Sequence, residues 1–314
     1  MTHYQDLFDA AELHVAASDV KTVRDAIRLF ETVHMPARNL AQRTRVEYTR
    51  DLEELTEYLE RVGIRSVHAV ALQDLQGFQA WMDRQAFESS TRRRKTQTIK
   101  GFFRFLHHFG VLSKDVALRL IPPRLRAKEP RYLSEAEYKR LLRVCQHHPR
   151  NAAIVELFLQ TGMRLAELAR LQTADVELPA RPSPEPDNVG FASITRKGGK
   201  RDTIPLNFKA CKALKLWLSV RPSVDHDALF VSKFGGPLSL RAIQAMISTA
   251  MAEAVIRGAS VHTLRHTMAT HHVARGTDLK TVQDTLGHAD LKTTAGYVQL
   301  AKKAQRRALQ EHAL

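Results

Sequence analysis

The chain has 314 residues, with 48 Lys and Arg against 33 Asp and Glu, a formal charge of +15 and a pI near 10.1. That length allows two ordinary domains with real cores, and so basic a surface points to a polyanionic partner. No apolar run approaches the roughly 20 residues of a membrane span and no basic-then-apolar leader pattern opens the chain, so a soluble cytoplasmic protein without membrane contact is expected.

Residues 1–37 carry apolar positions at helical spacing but six acids against three basic residues. They read as a helical N-terminal extension suited to packing or to a protein contact, and their charge argues against a DNA-binding arm. A second region, 38–120, is strongly helical. Tyr48, Leu52, Leu55, Leu59 and Val62 share one helix face. Leu75, Phe78 and Met82 mark a second helix, and Ile99, Phe102, Phe103, Leu106 and Phe109 a third.

The basic run Ser89 through Lys95 precedes that third face. Residues 91–130 hold eleven basic and only two acidic residues, more than half of the whole charge excess. Such clustering favours a surface that tracks phosphates. Arg43, Arg45, Arg92, Arg93, Arg94, Lys95 and Lys100 are the expected DNA contacts here, joined by Lys200 from further along. The aromatic residues at helical spacing are assigned to the core.

Prolines and cations without periodicity make 121–130 a linker. Ser134 and Glu137 form a capping box that opens a helix of a second domain, 131–314. That domain is mainly helical, except that Val189–Thr195, a glycine turn at 197–200 and Asp202–Leu206 read as a β-hairpin. The proline-rich stretch 179–188 is a surface loop, and the tail beyond 297 a basic amphipathic helix. Cys145 and Cys211 match no metal spacing and are expected as reduced core thiols.

The residues able to do chemistry lie in this second domain. Arg164 and Glu167 sit three apart where a helix begins after Gly162. His262 and Arg265 are likewise three apart on the opening turn of a helix. A further helix, about 278–286, stops at Gly287 and presents His288, with Tyr297 nine residues later. Taken singly, these are ordinary residues: a helix pair, a capping histidine, a core tyrosine.

Together, two arginines, two histidines, a hairpin lysine (Lys197 or Lys200) and a tyrosine make a phosphodiester site. Guanidinium groups match phosphate oxygens and offset transition-state charge, a phenol needs activation to attack, and a departing alkoxide needs a proton. His262 and His266 at i,i+4, with His271, His272 and His288 near, also raise a zinc site. No glutamate completes a His-Glu-x-x-His pattern and Arg265 projects toward any cation there, so no metal is expected.

In Thr161-Gly-Met-Arg-Leu-Ala-Glu-Leu168, Arg196-Lys-Gly-Gly-Lys-Arg-Asp-Thr-Ile-Pro-Leu206, His262-Thr-Leu-Arg265, Leu286-Gly-His288 and Tyr297, the chain resembles the tyrosine recombinase (phage integrase) family, most closely its Xer-type members. The likeness runs from about 38 to 314. It implies a mainly α, two-domain clamp on duplex DNA: an all-helical SAM-like core-binding domain (38–120) and an α-rich catalytic domain with a small antiparallel sheet.

It implies Tyr297 as nucleophile, giving a 3′-phosphotyrosyl link. Arg164, Arg265 and His288 hold the phosphate, His262 assists proton removal, Glu167 orients the cluster, and Lys197 protonates the leaving oxygen. It further implies a homotetramer on DNA, with a paralogous recombinase as an alternative partner, a tail that docks on a neighbouring subunit, a Holliday-junction intermediate, residence at the nucleoid and no cofactor. A type IB topoisomerase-like relaxing activity and a non-catalytic DNA-binding protein are the alternatives.

Overall fold

Spacing alone explains the first helices. A computed structural model of the protein describes residues 16–125, 131–196 and 199–287. In α3 (Gln42–Arg61), Leu52, Leu55 and Leu59 recur on one face and are fully buried. Val62, expected to extend that face, is 51% exposed, because α3 ends at Arg61 and Gly63 turns the chain with a φ of +83°.

Leu75, Phe78 and Met82 of α4 (Leu72–Arg84) meet Ile99, Phe102, Phe103 and Leu106 of α5 (Ser89–His108) in the same core. The N-terminal segment joins them. A capping box at Thr22 starts α1 (Val23–Leu29), which runs through a π-helical turn (Phe30–His34) into the short α2 (Met35–Ala37). Val20, Val23, Ala26, Ile27, Leu29, Phe30 and Met35 are all buried in the core of α3–α5, with Phe30 edge-on to Phe102 at 5.5 Å. Residues 16–37 therefore belong to the packing of the first unit, with no packing boundary at residue 37.

Contacts divide the chain after Ala127. The second unit opens with the expected capping box, in which the Ser134 amide donates to the Glu137 carboxylate (2.8 Å). The Arg131 guanidinium beside it, helped by that amide, holds the Glu137 carboxyl down at about 2. Helix α6 (Glu135–Cys145) leads to the apolar α7 (Pro149–Thr161), then to α8 (Leu165–Ala169).

A three-stranded antiparallel sheet follows in the order β1 (Val176–Glu177), β2 (Gly190–Thr195), β3 (Arg201–Leu206), with Thr195 opposite Arg201 at the turn end. The hairpin is the one expected; the two-residue β1 is too short for any pattern to betray. Alternation puts Ala192 and Ile194 inward and Phe191 outward. Helices α9 (Phe208–Val220), α10 (Leu240–Glu253) and α11 (Val261–Ala274) complete the main core around α7.

Helix α12 (Leu279–Leu286) seats Val282 and Leu286 against Met268, Ala269 and Val273 of α11. Cys145 and Cys211 are buried free thiols, and burial pushes the Cys145 thiol up to about 11. No helix among the described residues is long and apolar enough to cross a membrane.

Candidate active site

Two glycines set the geometry. Gly162 ends α7 with a φ of +63°, and a Cβ there would fall 2.6 Å from a methyl of Leu286. Gly287 ends α12 with a φ of +61°. A left-handed residue is needed at both places, and only glycine lets the α7–α8 turn approach the end of α12 this closely.

Arg164 caps α8 immediately after the first turn. Glu167, whose side chain is only 4% exposed, accepts from the Arg164 amide (2.7 Å) and from one guanidinium nitrogen (2.8 Å). The other terminal nitrogen lies 3.3 Å from the Gly287 carbonyl. Arg265, buried on α11, donates to the carbonyls of Gly162 and Leu286, the latter at 2.7 Å. Arg164 and Arg265 thus meet at the last turn of α12, and Glu167 holds Arg164 from behind.

A residue that sequence reasoning passed over stands among them. Arg196, at the end of β2, donates from Nε to Asp202 (2.7 Å), and from its two terminal nitrogens to the carbonyls of Leu286 (2.9 Å) and Thr285 (3.0 Å). Its signal was an arginine next to the hairpin lysine with an aspartate six residues on, across the turn. Three guanidinium groups therefore converge on carbonyls 285–287. These are unsatisfied acceptors at the negative end of a helix, which is where cations are held best. Glu167 and Asp202 supply two compensating charges, and the cluster keeps a positive excess suited to a phosphate.

His262 is exposed on the first turn of α11, one turn before Arg265. Half-buried His266 is held below the ordinary imidazole value by burial first, then by His262 and Arg265. His34 and His272 are also shifted down, again chiefly by burial. Their charged forms are disfavoured in the fold, while the unfolded chain takes up protons near pH 6.5. Stability should therefore be full above that value and decline as pH falls below it. Thermal melts across that range, with a flatter profile for a His34→Gln/His266→Gln/His272→Gln variant, check this; an unchanged slope would refute it.

Lys197, His288 and Tyr297 lie outside the described residues. Lys200 is exposed, and its carbonyl accepts from the Arg196 amide (2.8 Å). No group of three or more His, Cys, Asp or Glu placed to hold a metal occurs among the described residues.

The expected DNA contacts of the first unit need correction in two places. Lys95 is 3% exposed and pairs with Asp51 (2.9 Å) and Glu54 (2.8 Å). It neutralises an internal acid and does not face a phosphate. Lys100 donates to the carbonyls of Ala117, Leu118 and Leu120 (2.7–2.9 Å), so its three N–H groups close the turn after α5. Arg92 pairs with Asp83, and Arg93 donates to the Pro123 carbonyl. Arg94 pairs with Asp51 yet stays 43% exposed, and Arg45 donates to the Leu40 carbonyl (2.8 Å). Arg43 is exposed.

The helical first unit, the small sheet and this arginine cluster define a fold that known proteins share. The chain matches the phage integrase family over residues 131–304, and the phage integrase N-terminal SAM-like domain over residues 27–110. It belongs to the phage integrase family.

Among curated relatives, it is 32% identical over 271 residues to tyrosine recombinase XerC of Pseudomonas syringae pv. tomato, covering 84% of this chain and 87% of that protein. It is 30% identical over 276 residues to tyrosine recombinase XerD of Oceanobacillus iheyensis, covering 84% and 90%. The XerH site-specific recombinase bound to palindromic difH substrate has a similar fold, with a TM-score of 0.72, 23% identity and coverage of 90% and 83%. So does a lambda integrase dimer bound to a COC′ core site, at 0.72, 14% identity, 95% and 82%. Both show the mainly helical architecture expected from the sequence. Relatives of this kind do not favour the topoisomerase-like or purely DNA-binding alternative.

Proposed function

We propose that this protein is a tyrosine site-specific recombinase that breaks and rejoins duplex DNA through a 3′-phosphotyrosyl intermediate at Tyr297. The observation that carries the reading is the convergence of Arg164, held by Glu167, and of Arg265 on the end of the helix that leads in sequence to His288 and Tyr297. Guanidinium groups fixed before the substrate arrives need no reorganisation as charge builds on the phosphoryl oxygens.

In the cleavage step the Tyr297 oxygen bonds to phosphorus and the P–O5′ bond breaks. His262 assists loss of the phenolic proton, and Lys197 gives a proton to the departing 5′ oxygen. His288 donates a hydrogen bond to the phosphate beside Arg164 and Arg265. The 5′-hydroxyl of a partner strand then attacks the phosphotyrosine, and a second round resolves the Holliday junction. Each step exchanges one phosphoester for another, so no high-energy cofactor is needed.

Residues 131–314 form the catalytic domain in this reading, 121–130 the linker and 38–120 the core-binding domain, with 16–37 as part of its packing. Two duplexes require four active sites, hence a homotetramer on DNA, or one shared with a paralogous recombinase, at the nucleoid. DNA recovered in covalent attachment to the protein in cells identifies the target. A nicked duplex of that sequence should trap a covalent adduct with wild type and none with Tyr297→Phe. Absence of any wild-type adduct would overturn the reading.

A further inference from the structure

Arg196 has no role in the reaction just described, yet all three of its guanidinium nitrogens are engaged at the site. It is 9% exposed, with Nε on Asp202 and both terminal nitrogens on the last turn of α12. One terminal nitrogen also lies 3.9 Å from the Glu167 carboxylate that holds Arg164. The guanidinium lies against Gly287: a Cβ there would come 2.6 Å from its central carbon. The Arg196 amide closes the hairpin turn by donating to the Lys200 carbonyl. One residue therefore joins the base of the turn containing Lys197, strand β3, Glu167 and the helix end preceding His288.

Arg164, with its side chain 36% exposed, has N–H groups open toward a phosphate. Arg196 is only 9% exposed, and each of its three nitrogens already faces a protein oxygen. A rigid planar fork that reaches three acceptors in different elements is the device for fixing those elements relative to one another, and a lysine cannot replace it.

We propose that Arg196 is a positioning residue for proton delivery to the leaving oxygen: it fixes the base of the Lys197 turn against the last carbonyls of α12. The inference rests on the recombinase reading. Tyr297 still forms its bond to phosphorus and the P–O5′ bond still breaks. What depends on Arg196 is the transfer of the Lys197 proton to O5′.

The test compares adduct formation on two nicked duplexes of the recovered target, one with the ordinary 5′ oxygen at the scissile position and one with a 5′-bridging sulfur. A departing thiolate needs no proton, so the sulfur substrate bypasses the general acid. Arg196→Ala should slow cleavage of the oxygen substrate about 100-fold and of the sulfur substrate less than about fivefold, the pattern of Lys197→Ala.

Arg196→Lys should resemble Arg196→Ala. Asp202→Asn, which removes one of three anchors and leaves the fold's apolar core untouched, should show the same substrate dependence to a smaller degree. Equal slowing of both substrates, or of neither, in Arg196→Ala and in Asp202→Asn overturns the inference while wild type still forms adduct. Failure of wild type to form adduct on either duplex overturns the recombinase reading instead.

Discussion

Arg164→Ala is expected to reduce adduct formation on a nicked target about 1,000-fold, about 4 kcal/mol of transition-state stabilisation, with little change in melting temperature. The two halves of this expectation have different origins. Arg164 is the most open of the three clustered arginines, and its contact with the Gly287 carbonyl is long at 3.3 Å. Truncation therefore strips no well-made buried bond from the helix end, which keeps Arg196 and Arg265 on the carbonyls of Thr285 and Leu286.

Glu167 loses its closest cation but keeps the Arg164 amide at 2.7 Å and Arg196 at 3.9 Å. The fold should thus survive while the phosphate loses one arm of its clamp. Arg164→Lys should recover only a small part of the rate, because a point charge does not reproduce the fork. Rates on the nicked duplex together with thermal melts decide the matter. A variant that cleaves within tenfold of wild type would remove Arg164 from the phosphate-binding set.

Such a division between chemistry and stability was legible in the sequence only in part. The helices of both units, the hairpin and the capping box at Ser134 could be read because apolar periodicity and capping chemistry are local properties. Arg164, Glu167 and Arg265 could be read because they fall in short motifs with fixed spacing. Arg196 could not: its meaning lies in acceptors 89 and 90 residues away on α12, and its one local signal, an aspartate across the turn, is also what a merely structural hairpin arginine would show.

The same limit misled the reading of the basic run. Charge density along 91–130 suggested phosphate contacts, but periodicity turns Lys95 inward beside Thr98 and Ile99, where Asp51 waits from a helix more than 40 residues earlier. Lys100 in turn binds carbonyls of the turn that follows its own helix. Residues 16–37 were set apart by their acidity, whereas their apolar positions complete the core of α3–α5. Composition describes a segment's surface; it does not say what the opposite face covers.

Asp51→Ala should destabilise the first unit as much as losing a core aromatic would, costing about 3–5 kcal/mol. Asp51 is fully buried and accepts from Lys95 at 2.9 Å, from Thr98 at 3.0 Å and from Arg94. Its removal leaves the Lys95 ammonium, itself 3% exposed, with Glu54 as its remaining acid. A buried cation that has lost a partner costs far more than the pair contributed. A domain of this size has only some 5–15 kcal/mol in total, so the first unit would become marginal.

Asp51→Leu with Lys95→Met replaces the ion pair by apolar groups of similar volume and leaves Arg94 with Glu47 and Glu54 with Arg50 at the surface. It should be more stable than either single variant, recovering most of the loss. Because Lys95 faces Asp51 and not DNA, the double variant should also keep the salt dependence of DNA binding, whereas Arg43→Ala should flatten the slope of log K against log salt by about one. Denaturant unfolding of the four proteins measures the first expectation and binding titrations at several salt concentrations the second. A double variant less stable than both singles, or one with a flattened salt slope, would return Lys95 to the DNA-contacting surface.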